Sequence, residues 1–361
     1  MTAPSFRQGW ALVLGFGLAL AWVFPAWAAT AAGRPLVTVI TTGGTIAQTV
    51  DPKTGLAVPS LGAEALLSAV PGLSDIAELK VVELMMIDSR DMQPAHWLQI
   101  AAAVRDAVAD PATDGVVVVH GTDTMQDIGY FLQLTRSGQK PVVVTGSMRD
   151  ASHPAPDGPR NLHDAVRQAA DPDAAGRGVT LTLNGRIVTA LRAGKHDAGN
   201  VDTFGDGVDS WIGTVEGNAV HWSARPDQRL VFPLPDALPQ VPVVLDYPGS
   251  TGALLDAAAA DPATRGIVVV GFGIGNVSHP MYEAIARARA KGLPVLVSSR
   301  VASGRLRPAY GGEGGGSSLQ ALGAILSPIN DPWKARIALM LALAESPQAA
   351  PATLSARLMG Q

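Results

Sequence analysis

The chain has 361 residues, of which 47% are hydrophobic and 16% charged, and this composition excludes a disordered protein. A net charge of −4 excludes a basic surface for nucleic acid. Because the chain has no cysteine, a disulfide framework, an iron–sulfur cluster and a thiol nucleophile are also excluded. At about 150 residues per domain, the length predicts two domains.

The N-terminal segment has the composition of an export signal. Arg7 precedes an apolar run, Trp10 to Phe24, whose length fits the apolar core of a signal peptide and is short for a membrane span. Ala26-Trp27-Ala28 places small residues at the positions that a signal peptidase recognises. We therefore predict that residues 1–28 are a signal peptide, cleaved after about Ala28, and that the mature protein is periplasmic and free of the membrane. An uncleaved N-terminal anchor is the alternative.

Strands and helices alternate along the next part of the chain. Runs rich in β-branched residues predict strands, and apolar residues at helical spacing predict helices. The predicted strands are Leu36–Thr41, Val81–Ile87, Gly115–Val119, Pro141–Thr145, Val179–Leu183 and Ile187–Ala190, and the predicted helices are Trp97–Val108 and Asp123–Leu134. This order predicts a parallel sheet with helices on both faces.

A proline-rich segment, residues 224–242, is typical of a linker between domains. The alternation resumes after it, with strands Val243–Leu245, Gly266–Val270 and Pro294–Ser298 and helices near Gly252–Ala260, Pro280–Ala290 and Pro332–Leu343. We therefore predict an α/β protein with a larger N-terminal parallel-sheet domain at residues 29–223 and a smaller C-terminal α/β domain at residues 243–361.

Three predicted strands end in polar, glycine-spaced loops, where the loops of an open α/β sheet form ligand sites. The loops are Thr41 to Ala47, His120 to Met125 and Thr145 to Arg149. A hydroxyl beside two glycines is presented with little steric cover, and the glycines let a substrate approach the backbone.

A threonine nucleophile needs a proton acceptor within about 3 Å. The histidines are dispersed and show no metal-ligand spacing. A lysine held by a carboxylate could pass protons instead, and Asp123 with Lys195 is the candidate pair. On spacing alone, a solvated loop lysine is the favoured interpretation of Lys195.

Two of these segments carry a family resemblance. Thr41-Thr42-Gly43-Gly44-Thr45-Ile46-Ala47 and His120-Gly121-Thr122-Asp123-Thr124-Met125 resemble the two signature segments of bacterial L-asparaginases, including the glutaminase-asparaginases. Shorter similar segments follow in the family's order: Asp88 to Met92, Gly146 to Arg149, Asp157 to Leu162, Gly271 to Asn276 and Ser298 to Val301. The predicted export signal further resembles the secreted branch of the family.

The resemblance implies the asparaginase fold and an amidohydrolase of asparagine catabolism. Such an enzyme acts on a linear amide, hydrolysing L-asparagine to L-aspartate and ammonia through a threonine acyl-enzyme. Thr45 is then the nucleophile, and Thr122, Asp123 and Lys195 form the second catalytic group. Ser89 and Asp123 hold the substrate's α-carboxylate and α-amino groups.

The substrate site implied by the resemblance also includes the backbone at Gly44 and Gly121. Asn276 matches a residue that relatives contribute to a neighbouring subunit's site, which implies a homotetramer built of intimate dimers. The resemblance requires no metal and no organic cofactor.

Two departures from the secreted relatives affect the site. Those relatives carry a tyrosine on a mobile lid about a dozen residues past the nucleophile, where this chain has Leu56. We predict that Tyr310, together with Glu313, replaces it as a catalytic residue that reaches Thr45. Arg90 stands where those relatives often carry glutamine beside the α-amino group. Because arginine cannot accept a hydrogen bond, it either turns outward or favours a different amide.

Other functions stay open at this point. A broader glutaminase-asparaginase fits the same segments. A periplasmic solute-binding protein shares the format of export and two α/β domains, and an inactive asparaginase-like protein would resemble it in a binding assay. A dinucleotide oxidoreductase is weakly supported, because Gly271-x-Gly273 lacks the third glycine and no acidic residue follows the next strand.

Overall fold

The computed structural model describes residues 33–59, 62–205, 210–226 and 230–360. The predicted signal peptide, residues 1–28, lies outside these ranges. Within them, no helix is both long enough and apolar enough to cross a membrane.

An eight-stranded sheet carries the N-terminal half. Its strands are β1 (Leu36–Thr41), β4 (Glu78–Glu83), β5 (Gly115–Val119), β6 (Val142–Thr145), β7 (Val179–Leu183), β8 (Arg186–Thr189), β9 (Trp211–Glu216) and β10 (Ala219–Trp222). The strands lie side by side in the order β10-β9-β8-β7-β6-β5-β1-β4. A separate antiparallel hairpin is formed by β2 (Gln48–Val50) and β3 (Ala57–Pro59).

Helices cover both faces of this sheet, which is why central strands such as the valine-rich β5 are buried along their whole length. The helices of this part are α1 (Ala63–Ser68), α2 (Leu73–Ile76), α3 (Pro94–Ala109), α4 (Met125–Thr135) and α5 (Gly158–Ala169). Helices α1, α2 and α5 contribute to the core on one face, and α3 and α4 to the core on the other.

The C-terminal part has a smaller, parallel sheet in the order β11-β12-β13-β14. Its strands are β11 (Val243–Leu245), β12 (Ile267–Gly271), β13 (Val295–Ser299) and β14 (Ile325–Leu326), and its helices are α6 (Ala253–Ala260), α7 (His279–Ala290), α8 (Gly316–Ala321), α9 (Pro332–Glu345) and α10 (Pro351–Leu358). Helix α9 packs against α4, so residues of both sheets share one hydrophobic core.

The α/β fold with a larger and a smaller sheet is confirmed, but the prediction that the larger sheet is parallel is wrong for one half of it. Strands β1, β4, β5, β6 and β7 pair in parallel, whereas β7 to β10 pair antiparallel. The change of direction begins at Asn184-Gly185, where both residues have positive φ and form a two-residue hairpin between β7 and β8. Asparagine followed by glycine is a strong sequence signal for such a turn.

Two other predicted boundaries were wrong. The strand predicted at Val81–Ile87 starts earlier and ends at Glu83, because the amides of Leu84 and Met85 both donate to the carbonyl of Thr41 and break the ladder. The helix predicted from Asp123 begins as a 3₁₀ turn, Thr122–Thr124, and becomes α-helical at Met125. Both deviations occur where the chain leaves the sheet to form the loops described below.

A half-buried acid, Asp127, lies where α4 packs against α9. Burial, reinforced by the negative charge of Asp331 and opposed by Arg336 and Lys334, raises the pKa of Asp127 from 3.8 to about 7. The carboxyl is therefore protonated in the folded chain at a pH at which it is ionised in the unfolded chain. The free energy of unfolding falls as the pH rises from about 4 to 7 and stays lower above that range.

Asp127→Asn should remove this pH dependence. The free energy of unfolding of the variant minus that of the wild type should rise by about 2 kcal/mol between pH 5 and pH 8, as measured by chemical unfolding at both values. Asp106→Asn, at an exposed carboxylate paired with Arg105, is the matched control and should show no such rise. A difference in the free energy of unfolding that is equal at both pH values would contradict the raised pKa of Asp127.

Candidate active site

The loops that follow β1 and β5 start side by side. These two strands are parallel neighbours, with Thr41 opposite Val119 at their carboxyl ends. The amide of Thr42 continues the ladder by donating to the carbonyl of Val119 at 3.0 Å. The fold therefore brings the two signature-like loops to one edge of the sheet.

Glycine permits the close contact between these loops. Gly44 has φ of 94°, and a Cβ there would lie 2.5 Å from the Cα of Gly121. A Cβ on Gly121 would in turn lie 2.6 Å from the Oγ of Ser89. Only glycine at both positions allows the loops containing Thr45, Ser89 and Thr122 to pack together.

Thr45 begins a short 3₁₀ helix, Thr45–Ala47, immediately after the Gly44 contact. Ile46 and Ala47 are buried and anchor this turn, while Thr45 itself is half-buried. Its hydroxyl makes no hydrogen bond to another residue in the described ranges. The structure thus presents a partly accessible alcohol beside the Gly121–Thr122 loop.

Thr122, Asp123 and Lys195 form one polar cluster. The Nζ of Lys195 donates to the Oγ1 of Thr122 at 3.1 Å and to the Oδ1 of Asp123 at 2.7 Å. Thr122 is buried, the Lys195 side chain is 20% exposed and the Asp123 side chain is 59% exposed. Lys195 therefore links a buried hydroxyl to a carboxylate that is open to a ligand.

The main chain of Lys195 is itself held in place, so this lysine is not a solvated loop residue. Its amide donates to the Oε1 of Gln126 at 2.9 Å, and the residue forms an isolated β-bridge with Phe204. The sequence analysis did not single out Gln126. Its position in the first turn of α4, next to the Thr122–Thr124 turn, is the sequence signal that could have identified it.

Ser89 and Arg90 lie on a second 3₁₀ turn, Ser89–Asp91, that packs against the Thr122–Thr124 turn. Ser89 is buried at the Gly121 contact. Arg90 points outward: its side chain is 73% exposed, with its guanidinium 3.5 Å from Asp88 and 3.9 Å from Asp91. The Arg90 side chain therefore turns outward, which is the first of the two alternatives given above.

The third loop is held by a carboxylate that the sequence analysis left without a role. Asp157 accepts hydrogen bonds from the amides of Met148 at 3.0 Å and Arg149 at 2.9 Å. The side-chain amide of Asn161 also donates to Asp157, at 2.9 Å, and to the carbonyl of Gly146, also at 2.9 Å. These contacts fix the Thr145–Arg149 loop against the start of α5.

Asn276 and Tyr310 belong to loops of the smaller sheet. The two loops are joined by a hydrogen bond from the amide of Val277 to the carbonyl of Gly314. The Oδ1 of Asn276 is buried and has no hydrogen-bond partner among the residues that the structure describes.

Tyr310 is 59% exposed, and in the described part of the chain its hydroxyl makes no hydrogen bond, to Thr45 or to any other residue. Glu313 lies 2.8 Å from the Nδ1 of His279. The single chain therefore does not show Tyr310 and Glu313 acting together on Thr45.

Comparisons with known proteins cover nearly the whole described chain. The family model "Asparaginase, N-terminal" matches residues 36–228, and the model "Glutaminase/Asparaginase C-terminal domain" matches residues 240–352. L-asparaginase 2 of Escherichia coli is 34% identical over 345 residues, which are 93% of each chain. A probable periplasmic L-asparaginase of Haemophilus influenzae is 33% identical over 326 residues, covering 88% of this chain and 91% of the relative.

A solved structure agrees with these matches. The crystal structure of a probable cytoplasmic L-asparaginase from Campylobacter jejuni has a TM-score of 0.81 and 30% sequence identity, covering 90% of this chain and 99% of that one. The order of the two sheets, the contact between the glycine loops and the family models therefore lead to one conclusion. This chain belongs to the asparaginase family.

Proposed function

We propose that this chain hydrolyses L-asparagine to L-aspartate and ammonia. The observation that carries the proposal is the contact of Lys195 Nζ with Thr122 Oγ1 and Asp123 Oδ1, beside the loop that presents Thr45. Family membership and the names of the relatives point to the same reaction. A protein that only binds a solute has no need for an accessible alcohol next to a lysine–threonine pair.

The first step forms an ester on Thr45. Its Oγ1 attacks the carbon of the side-chain amide, the C–N bond breaks, and the hydroxyl proton leaves with the nitrogen as ammonia. We propose that backbone N–H groups near Thr122 stabilise the oxyanion; in other acyl-transfer enzymes one such donor lowers the barrier by about 3 kcal/mol.

The second step returns the enzyme to its starting state. As the water oxygen attacks the ester carbon, Thr122 Oγ1 takes a proton from the water and passes its own hydroxyl proton to the Nζ of Lys195, which later returns it by the same route. The bond to Thr45 breaks, its oxygen regains a proton, and aspartate leaves. No proton is gained or lost by the protein over the cycle.

The non-reacting end of the substrate binds at the neighbouring turn. We propose that Ser89 and Asp123 hold the α-carboxylate and the α-amino group, with the backbone of Gly44 and Gly121 lining the same cleft. Because Arg90 points outward, it leaves the α-amino group free to reach Asp123. Glutamine, which has the same end groups and one more methylene, is the alternative substrate.

Ammonia release from asparagine, glutamine and their D-forms tests the proposal directly. We expect release from L-asparagine by the purified protein and none by Thr45→Ala. Binding of asparagine without release, measured by calorimetry, would favour a solute-binding protein or an inactive relative instead.

We propose that Tyr310 supplies the hydroxyl that the lid lacks. Its exposure, on a loop joined to the Asn276 loop, is consistent with a partner site in an assembled enzyme. Tyr310→Phe should lower kcat for asparagine at least about tenfold, since positioned acid–base groups contribute more than this. Tyr247→Phe, at another exposed tyrosine of the same part of the chain, is the control and should keep the wild-type rate. A wild-type rate for Tyr310→Phe would show that the Tyr310 hydroxyl is not catalytic.

We further propose that the enzyme is a periplasmic homotetramer built of intimate dimers, with Asn276 serving a neighbouring subunit. The buried, unpaired Oδ1 of Asn276 and the periplasmic name of one relative support this. N-terminal sequencing of the protein from a periplasmic fraction should show cleavage after about Ala28. Light scattering should give the mass of four mature chains.

The domain boundaries are also a proposal: a domain at residues 29–223, a linker at 224–242 and a second domain at 243–361. The two family models support this division, because they end at residue 228 and resume at residue 240. Limited proteolysis should cut first within residues 224–242.

A further inference from the structure

A buried histidine joins the loops of the site, and the mechanism above does not use it. His120 is fully buried directly after β5. Its Nδ1 lies 2.8 Å from Thr42 Oγ1, and its Nε2 lies 3.1 Å from Thr124 Oγ1. Each threonine hydroxyl also reaches a carbonyl oxygen at 2.9 Å, that of Val119 for Thr42 and that of Ser89 for Thr124. The chain of contacts thus runs from the Thr42 loop to the backbone of Ser89.

The number of protons limits which of these contacts can be hydrogen bonds at one time. Burial lowers the pKa of His120 to about 4, so the ring is neutral near pH 7 and carries one N–H. That proton and the two hydroxyl protons are three donors for the four contacts. The ring tautomer decides which contact is not a hydrogen bond. With the proton on Nε2, it is the contact of Thr42 with the Val119 carbonyl; with the proton on Nδ1, it is the contact of Thr124 with the Ser89 carbonyl.

The distances favour a proton on Nε2. Hydroxyl donors make shorter hydrogen bonds than ring N–H donors, which fits a Thr42 hydroxyl donating to Nδ1 at 2.8 Å and an Nε2–H donating to Thr124 at 3.1 Å.

The carbonyl oxygens agree with this choice. Val119 already accepts the amide of Thr42 at 3.0 Å, whereas Ser89 has only a longer bond from the amide of Met92, at 3.2 Å. A hydrogen bond from the Thr124 hydroxyl therefore stabilises the Ser89 carbonyl more than a hydrogen bond from the Thr42 hydroxyl stabilises the Val119 carbonyl.

We propose that His120 is a positioning residue: its Nε2–H orients the Thr124 hydroxyl, which holds the carbonyl of Ser89 and so the turn that binds the substrate's α-carboxylate. This inference rests on the proposed function for the role of Ser89. Since Ser89 contacts an end of the substrate that does not react, it contributes equally to the ground state and the transition state. Loss of the contact should therefore raise KM and leave kcat nearly unchanged.

Two substitutions of His120 separate the ring nitrogens. Glutamine places its amide nitrogen near the position of Nε2, whereas asparagine reaches only the position of Nδ1. His120→Gln should raise KM for asparagine less than about threefold, and His120→Asn about tenfold, a loss of about 1.4 kcal/mol of binding. Thr124→Val, which removes the intermediate hydroxyl, should match His120→Asn, and the double variant His120→Asn/Thr124→Val should be no worse than either. In all of them kcat should stay within about twofold.

The ¹⁵N shifts of the His120 ring in the wild-type protein test the tautomer without any substitution. An Nε2–H ring is expected, and an Nδ1–H ring would overturn the proposal. Equal KM for the Gln and Asn variants, or a fall in kcat with KM unchanged, would also overturn it. If the His120 variants do not fold, Thr124→Val and the ring shifts still decide the question. A wild-type protein that releases no ammonia from asparagine defeats the proposed function, whereas the tautomer result stands separately.

Discussion

Thr45→Ala should lower kcat for ammonia release from L-asparagine by at least about 1,000-fold, because removal of a nucleophile eliminates the covalent route. The hydroxyl has no hydrogen-bond partner among the described residues and Thr45 is half-buried, so the substitution should change the free energy of unfolding by no more than about 0.5 kcal/mol. Asparagine should still bind, since its end groups contact other residues. Steady-state ammonia release, thermal unfolding and calorimetric binding together measure the three quantities.

Thr251→Ala is the matched control, since it removes a hydroxyl from an exposed threonine before α6. It should keep the wild-type rate. If Thr45→Ala retained more than about a tenth of the wild-type kcat while folded, Thr45 could not be the group that is acylated. If it lost stability in proportion to its activity, the loss would reflect packing of the Thr45–Ala47 turn instead of chemistry.

The strands were predictable where the local sequence shows directly that a segment is buried. The valine run of β5 was predicted to the residue, because a strand buried on both faces needs apolar β-branched side chains throughout. Antiparallel strands β9 and β10 were missed because neither contains such a run: glycine and threonine interrupt the apolar residues of β9, and β10 alternates between exposed and half-buried positions. The Asn184-Gly185 turn would have revealed the change of direction.

The site was predictable in its residue types and less so in its geometry. Thr45 and Thr122 stand in loops whose glycines are visible in the sequence. The contact of Lys195 with Thr122 spans 73 positions, and nothing local distinguishes this lysine from a solvated one. The outward direction of Arg90 depends on Asp88 and Asp91, which compete for its guanidinium only once the Ser89–Asp91 turn has formed.

Lys195→Met should lower kcat/KM for asparagine by about 100-fold to 1,000-fold, because it removes the group that supports proton transfer at Thr122. The aliphatic chain of methionine occupies most of the same space, so the partly buried stem stays packed. Asp123 loses its ion pair but is largely exposed, and stability should change little. Rates over a range of asparagine concentrations, with thermal unfolding in parallel, measure both effects.

Two further variants define what Lys195 contributes. Lys80→Met breaks a solvent-accessible ion pair with Asp110, 2.9 Å long, whose two residues are not part of the proposed site, and it should leave the rate unchanged. Lys195→Arg keeps the positive charge but not the capacity to give up a proton, because arginine stays protonated. If proton transfer is the role, Lys195→Arg should be nearly as impaired as Lys195→Met. Recovery of more than about a tenth of the wild-type rate by arginine would show that the charge beside Asp123 is what the reaction needs.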